Sequence, residues 1–187
     1  MGTVSGYLLD NNIVSILTRP ADFRYPEIAA NFQAIMPAPV FLPVIAIAEI
    51  ESGFALVDDL NENQRAQRTD LRSFFVQYPF HLGIDDNTVE PYSLLRAQLW
   101  RLHGTRKKGK RRYTEKRPEE LFDRVTGKEL GIDERDLLIA SVAVQYGLVL
   151  ATNDQNPGMK RIEEAARRLE EDGKPMHLRI DYWPRPI

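Results

Sequence analysis

Residues 40–45, Val-Phe-Leu-Pro-Val-Ile, are apolar without interruption, and a strand of that kind is at home where both of its faces are covered. Coverage of both faces belongs to parallel sheets, whose crossover connections lay helices on each side. The rest of the chain should therefore supply short strands alternating with helices, and its periodicity does so. Tyr7, Leu8 and Leu9 form an apolar run that stops at Asp10-Asn11-Asn12, residues favoured in turns and helix N-caps, and 13–17 continue as a brief helix. Helical spacing recurs over 26–35, 46–56, 63–77 and 89–102, with a strand expected at 80–83. After 103–130 the alternation resumes: helix 133–146 closed by Gly147, strand 148–151, helix 156–171 and strand 176–183. The expected class is α/β, a three-layer sandwich with a mostly parallel central sheet flanked by helices.

With 187 residues, 43% of them hydrophobic, the chain suffices for one core, so a single domain over 1–187 is expected, carrying an insertion at about 103–130. The absence of cysteine excludes disulfide scaffolds, thiolate zinc sites, iron–sulfur clusters and cysteine nucleophiles. The longest apolar run, 38–48, contains Pro39 and Pro43 and falls short of the roughly 20 residues that a membrane span needs. The first residues show no signal-peptide pattern, and a cytoplasmic location is expected.

In open parallel sheets the working site lies outside the carboxyl ends of the strands, and four acids fall at or near such positions. Asp10 ends the first strand, Glu49 lies one helical turn past the second, Asp136 is in the first turn of helix 133–146, and Asp154 follows strand 148–151 by three residues. Crowded carboxylates repel one another unless a cation neutralises them. An all-oxygen set without Cys or a suitably placed His favours Mg2+ or Mn2+ over zinc. Such a site suits phosphodiester hydrolysis, in which the metal activates water and offsets charge on the phosphate.

The segments YLLDNNIVSIL, IAIAEIESG, DERDLLIASVAVQYGLVLATND and LRIDYWPRP, in that order, resemble the PIN-domain ribonucleases, and most closely the VapC toxins of bacterial type II toxin–antitoxin pairs. The likeness spans roughly 6–102 and 131–184. It implies that Asp10, Glu49, Asp136 and Asp154 form the acidic quartet that binds Mg2+ or Mn2+. In that quartet Asp10 and Asp136 would be direct ligands, Glu49 would hold or polarise the attacking water, and Asp154 would complete the site. Asn12 and Thr152 match positions that support the quartet by hydrogen bonds. The likeness also implies a metal-dependent endoribonuclease acting on structured RNA such as tRNA, a small VapB-like antitoxin that blocks the site, and a homodimer. Three departures stand out: Asn11 in place of the usual Thr or Ser, Asn156-Pro157 in place of a hydrophobic residue after the last Asp, and the insertion itself.

Each acid also has a plain structural reading. Asp10 would cap the first helix, Asp133 reads best as the cap of its helix, and Asp154 would be a turn residue. Glu51, two positions past Glu49, points about 200° away on a helix and is expected to be solvated. The histidines His81, His103 and His177 have no paired spacing, and Thr126-Gly127-Lys128 lacks the rest of a phosphate loop. Tyr92 and Trp100 read as core or dimer contacts.

The net charge of −2 hides a division. Residues 106–117, RKKGKRRYTEKR, hold eight Lys or Arg and one Glu, which leaves 17 basic against 26 acidic residues elsewhere. The functional reading of this +7 segment is phosphate contact with RNA through Arg106, Lys107, Lys108, Lys110, Arg111 and Arg112, with Tyr113 available to stack. The alternatives are a solvated loop or a contact for an acidic antitoxin segment. Two other classes stay open: a PIN-like RNA- or protein-binding module without significant catalysis, and a DNA or flap-type nuclease of the same fold.

Overall fold

The computed structural model describes residues 5–106, 109, 117–123 and 125–184. They divide into two units, one of residues 5–83, 148–154 and 180–184, the other of 84–147 and 155–179. The expected α/β class is present, with a central sheet paired in parallel along β1 (Tyr7–Leu9), β2 (Val40–Pro43), β3 (His81–Leu82) and β4 (Val149–Thr152). With β5 (Arg179–Tyr182) beside β4, the strand order is β3-β2-β1-β4-β5. The first strand in sequence is thus the middle strand in space, and its Leu8 and Leu9 are fully buried.

In the first unit, α1 (Asn11–Leu17) follows β1 directly because Asp10 caps it. Helix α2 (Tyr25–Ile35) takes Pro26 in its first turn, where a missing N–H costs nothing. The run at 40–45 is strand only as far as Pro43. There the chain turns straight into α3 (Val44–Ala55), with Pro43 as its extended N-cap, because proline cannot continue donating to a sheet. Helix α4 (Glu62–Gln77) opens with a capping box: Gln64 N–H donates to Asn61 Oδ1 at 2.9 Å and Asn61 N–H to Gln64 Oε1 at 3.0 Å. Leu9, Ile13, Phe32, Leu42, Leu71 and Trp183 share the core of this unit.

The second unit holds α5 (Val89–His103), α6 (Glu134–Tyr146) and α7 (Pro157–Glu171). Asp133 caps α6 as expected, accepting from Arg135 N–H at 2.8 Å, and Gly147 closes it in the left-handed conformation at φ 61°. Gly158 on α7 is buried against the chain at 131–132: a Cβ there would stand 2.0 Å from the Gly131 carbonyl oxygen. Asn156 and Pro157, the second departure from the family pattern, serve as N-cap and first residue of α7. The strand expected over 176–183 narrows to 179–182, and Met176 closes a turn onto the Lys174 carbonyl instead.

The insertion is more ordered at its C-terminal end than an exposed loop. Pro118–Glu120 form a 3-10 turn, Leu121 and Leu130 are buried, and Phe122 bridges Glu129 in antiparallel fashion. Asp123 accepts the N–H groups of Val125 and Thr126 at 2.9 and 2.8 Å, so Thr126-Gly127-Lys128 is a side-chain-capped turn. Glu119 Oε1 accepts from Glu134 N–H at 3.0 Å, taking up an otherwise orphaned donor of α6.

Candidate functional site

Between β1 and β4 the winding of the sheet reverses, and a crevice outside the strand ends at such a switch point is where ligands bind in open α/β sheets. Asp10 stands at the end of β1, Thr152 closes β4 and Asp154 follows it. Asp10 is 4% exposed, and every neighbour is organised around its carboxylate. Oδ1 accepts from Asn11 N–H at 2.7 Å, and Oδ2 accepts from Asn12 Nδ2 at 2.9 Å and from Thr152 Oγ1 at 2.7 Å. Asp10 is therefore both helix cap and centre of a network. Burial pushes its pKa up; the bonds from Thr152 and Asn11 oppose the rise, and the nearby charges of Asp154 and Glu49 add to it.

The structure brings Asn12 and Thr152 together at this carboxylate. Asn12 Nδ2 also reaches Thr152 Oγ1 at 3.2 Å, and its Oδ1 accepts from Asn153 N–H at 2.8 Å. The same Thr152 hydroxyl accepts from Asp154 N–H at 2.9 Å, which fixes the turn carrying that acid. Asn11 donates its backbone N–H to Asp10 and borders the cleft that Glu49 also lines.

Two further residues complete the site, and sequence reasoning misses both. Asn153 donates its side-chain amide to the Trp183 carbonyl and accepts from Arg24 Nη1 at 3.3 Å. Arg24 is itself held by Asp22 at 2.7 Å, and this guanidinium keeps the Asp22 carboxyl well below its ordinary range. The only trace of Asn153 in the sequence is the turn composition of Thr-Asn-Asp, and Arg24 leaves none.

Glu49 is half-buried on α3 and lines a cleft of about 280 Å³ with Asn11 and Ser15 of α1 and with residues of α4. Glu51, expected to be solvated, is instead clamped by Arg68 at 2.6 Å and Arg72 at 2.8 Å, because α4 passes alongside; these arginines bring its pKa down to about 2. Asp136 sits half-buried in the first turn of α6, in the second unit, three residues past the Asp133 cap. Tyr92 donates to Glu134, Arg96 stacks on both Tyr92 and Trp100, and Trp100 is buried. His81 contacts the Phe75 carbonyl, and His177 pairs with Glu170. Of the basic segment Arg106 and Arg117 are described, and both are exposed; Lys107, Lys108, Lys110, Arg111, Arg112 and Tyr113 lie outside the described residues.

The residues at the switch point fit a hard divalent cation. Asp10 is a buried acid whose charged form is opposed by burial and by two further carboxylates, and all the donors are oxygen. Among the described residues no three His, Cys, Asp or Glu side chains stand close enough to enclose an ion by themselves. Mg2+ keeps several waters and takes only one or two carboxylates from a protein, so Asp10 with one further acid would be the set to hold it.

No family model matches the chain, and no curated protein matches it. Solved structures do. A chain of VapBC2 from Rickettsia felis bound to a promoter DNA fragment is 17% identical, with 95% of this chain and 98% of that one covered and a TM-score of 0.58. FitAcB from Neisseria gonorrhoeae is 20% identical over 96% and 99%, with a TM-score of 0.57. VapBC-1 from nontypeable Haemophilus influenzae is 19% identical over 96% and 98%, with a TM-score of 0.59. Among the described residues no helix is long and apolar enough to cross a membrane. The coverage is nearly end to end in both directions, and the chain shares the α/β fold of the chains it matches in the VapBC and FitAB structures.

Proposed function

We propose that this chain is the toxin of a toxin–antitoxin pair and acts as a metal-dependent endoribonuclease on structured RNA, tRNA being the first substrate to try. The observation that carries the reading is Asp10: a buried carboxylate at the switch point, both oxygens fixed by hydrogen bonds, with Asp154 and Glu49 acting on it electrostatically. Such a charge is poorly placed for stability alone and well placed to meet a cation and a phosphate. When bound, Mg2+ or Mn2+ polarises water and neutralises the scissile phosphate.

The chain's own groups would divide the remaining work. Asn12 and Thr152 hold Asp10 in one orientation, so its free lone pairs point one way. Glu49, half-buried in the cleft wall, orients the attacking water and takes its proton. Asp154 adds negative charge from a turn locked by Thr152. Asp136 belongs to the set by motif resemblance. Water adds to phosphorus, the bond to the 3′ oxygen breaks, and the products carry a 5′-phosphate and a 3′-hydroxyl.

The test is cleavage of tRNA, single-stranded DNA and branched DNA side by side, with Asp10→Asn and Asp136→Asn variants. The variants should lose at least the roughly 10–100-fold that even outer partners of a metal site are worth, while RNA affinity stays within a few-fold. Products ending in 2′,3′-cyclic phosphate, or variants as active as the parent, would overturn the reading. For the partner, the product of the adjacent small gene should co-purify with the chain and suppress cleavage. Light scattering of the free chain should give twice the monomer mass if it is a homodimer.

A further inference from the structure

Helix α3 carries a glycine that its backbone does not need. Gly53 lies inside the helix, where glycine is destabilising relative to alanine. It has no left-handed backbone, and a Cβ built on it would meet nothing within 4 Å. Neither conformation nor packing accounts for it, whereas Gly158, also helical, is explained at once by the carbonyl above it. What Gly53 borders is the cleft of about 280 Å³ next to Glu49, from which it is one helical turn removed on the same face.

The cleft has the chemistry of a site for a flat, hydrogen-bonding ring. Ile50 and Phe54 of α3, Val57 just past its end and Leu71 of α4 are its apolar lining, while Asn11, Gln64 and Gln67 are its amide-bearing residues. Arg68 stacks 5.9 Å over the Phe54 ring and is tied to Glu51, which steadies that wall. The Gln67 side chain makes no hydrogen bond among the described residues, and the Gln64 side chain spends only its carbonyl oxygen, on the Asn61 cap. An amide presents a donor and an acceptor side by side, as the hydrogen-bonding edge of a base does. At about 280 Å³ the cleft falls just short of the roughly 300 Å³ at which small-molecule sites start, which is room for about one base.

We propose that this cleft is a nucleobase subsite, which takes one unstacked base of the RNA beside the candidate water-orienting Glu49, with Gly53 leaving the room and Gln67 reading the base edge. The proposal rests on the ribonuclease reading and deepens it: base preference would be set on α3 and α4, away from the acids.

Gly53→Leu tests it, since leucine favours a helix and its side chain would extend into open space. Binding of the four RNA homohexamers is measured by fluorescence anisotropy in EDTA, where no metal-dependent cleavage occurs. The parent should discriminate between the best and worst homohexamer by about tenfold, within what one amide pairing with a base edge gives against the wrong base. In Gly53→Leu that ratio should fall below about twofold, with an unchanged or higher unfolding temperature; Gln67→Ala should shift the order of preference. An unchanged ratio in a folded Gly53→Leu overturns the subsite, as does a parent that binds all four alike, even if tRNA is cut. If the ratio collapses as expected but the parent cuts no RNA in Mg2+, the subsite stands as a base-binding site and the nuclease reading fails. If the only loss in Gly53→Leu is binding of the co-purified partner protein, the cleft is a protein contact and the subsite is wrong.

Discussion

Asp10 carries two demands that pull against each other. As the cap of α1 it satisfies backbone donors, and as a buried charge flanked by Glu49 and Asp154 it is held above its ordinary pKa, chiefly by desolvation. Because the folded state binds this proton more tightly than the unfolded state, the associated stability is complete below the unfolded value of 3.8 and is lost as pH rises through the raised value. Asp22, Glu51 and Asp133 run the opposite way: their lowered pKa values give stability above the unfolded values that disappears in acid. The difference between melts in EDTA and in Mg2+ isolates the first effect. Mg2+ should raise the unfolding temperature at neutral pH and lose that effect as pH falls toward 3.8, whereas a difference that does not vary with pH would sink the assignment of the cation to Asp10. Asp10 is legible because a strand end marks it, and Asn12 and Thr152 are reached only through the motif resemblance. Arg24 is not legible, since its bond to Asn153 joins residues 129 positions apart and leaves no periodicity behind.

Helices are legible where their ends carry chemistry. Asp133 and Gly147 bracket α6 as their residue types demand, and the apolar stripes of α2 and α5 fall where spacing puts them. Strand limits are less visible, because a run such as 40–45 looks the same to a strand and to a buried helix start, and the proline that divides them is itself apolar. Close approaches between elements are not visible at all. Gly158 is the clearest case: alanine there, normally an improvement within a helix, would drive a Cβ to 2.0 Å from the Gly131 carbonyl. Gly158→Ala should destabilise by at least about 3 kcal/mol, the upper end of ordinary overpacking, read as a lower midpoint in urea. A neutral result would mean that the segment at 131–132 can move away from α7. In the insertion, the buried Leu121 and Leu130 fall outside any helical or alternating pattern, which is why the ordered turn between them reads as a loop.

Across the chain as a whole, charge is segregated. Residues 106–117 carry +7 and the remainder −9; on the proposed reading the segment would draw a polyanion that the remaining charge repels. Replacing the six positions from Arg106 to Arg112 that are basic with Gln should weaken RNA binding. It should also flatten the salt dependence by about 0.7 in log–log slope for each phosphate of single-stranded RNA that is no longer neutralised. An unchanged slope would assign the segment to solvent or to a protein partner. The strand order has a further consequence, one of timing. The middle strand is made first, yet Asp10 finds its Thr152 partner only 142 residues later. At roughly 5–20 residues per second, the ribosome spends on the order of ten seconds between them. Throughout that interval the nascent chain holds Asp10 without the hydroxyl that orients it, and the network around its carboxylate is finished only after β4 has been synthesised.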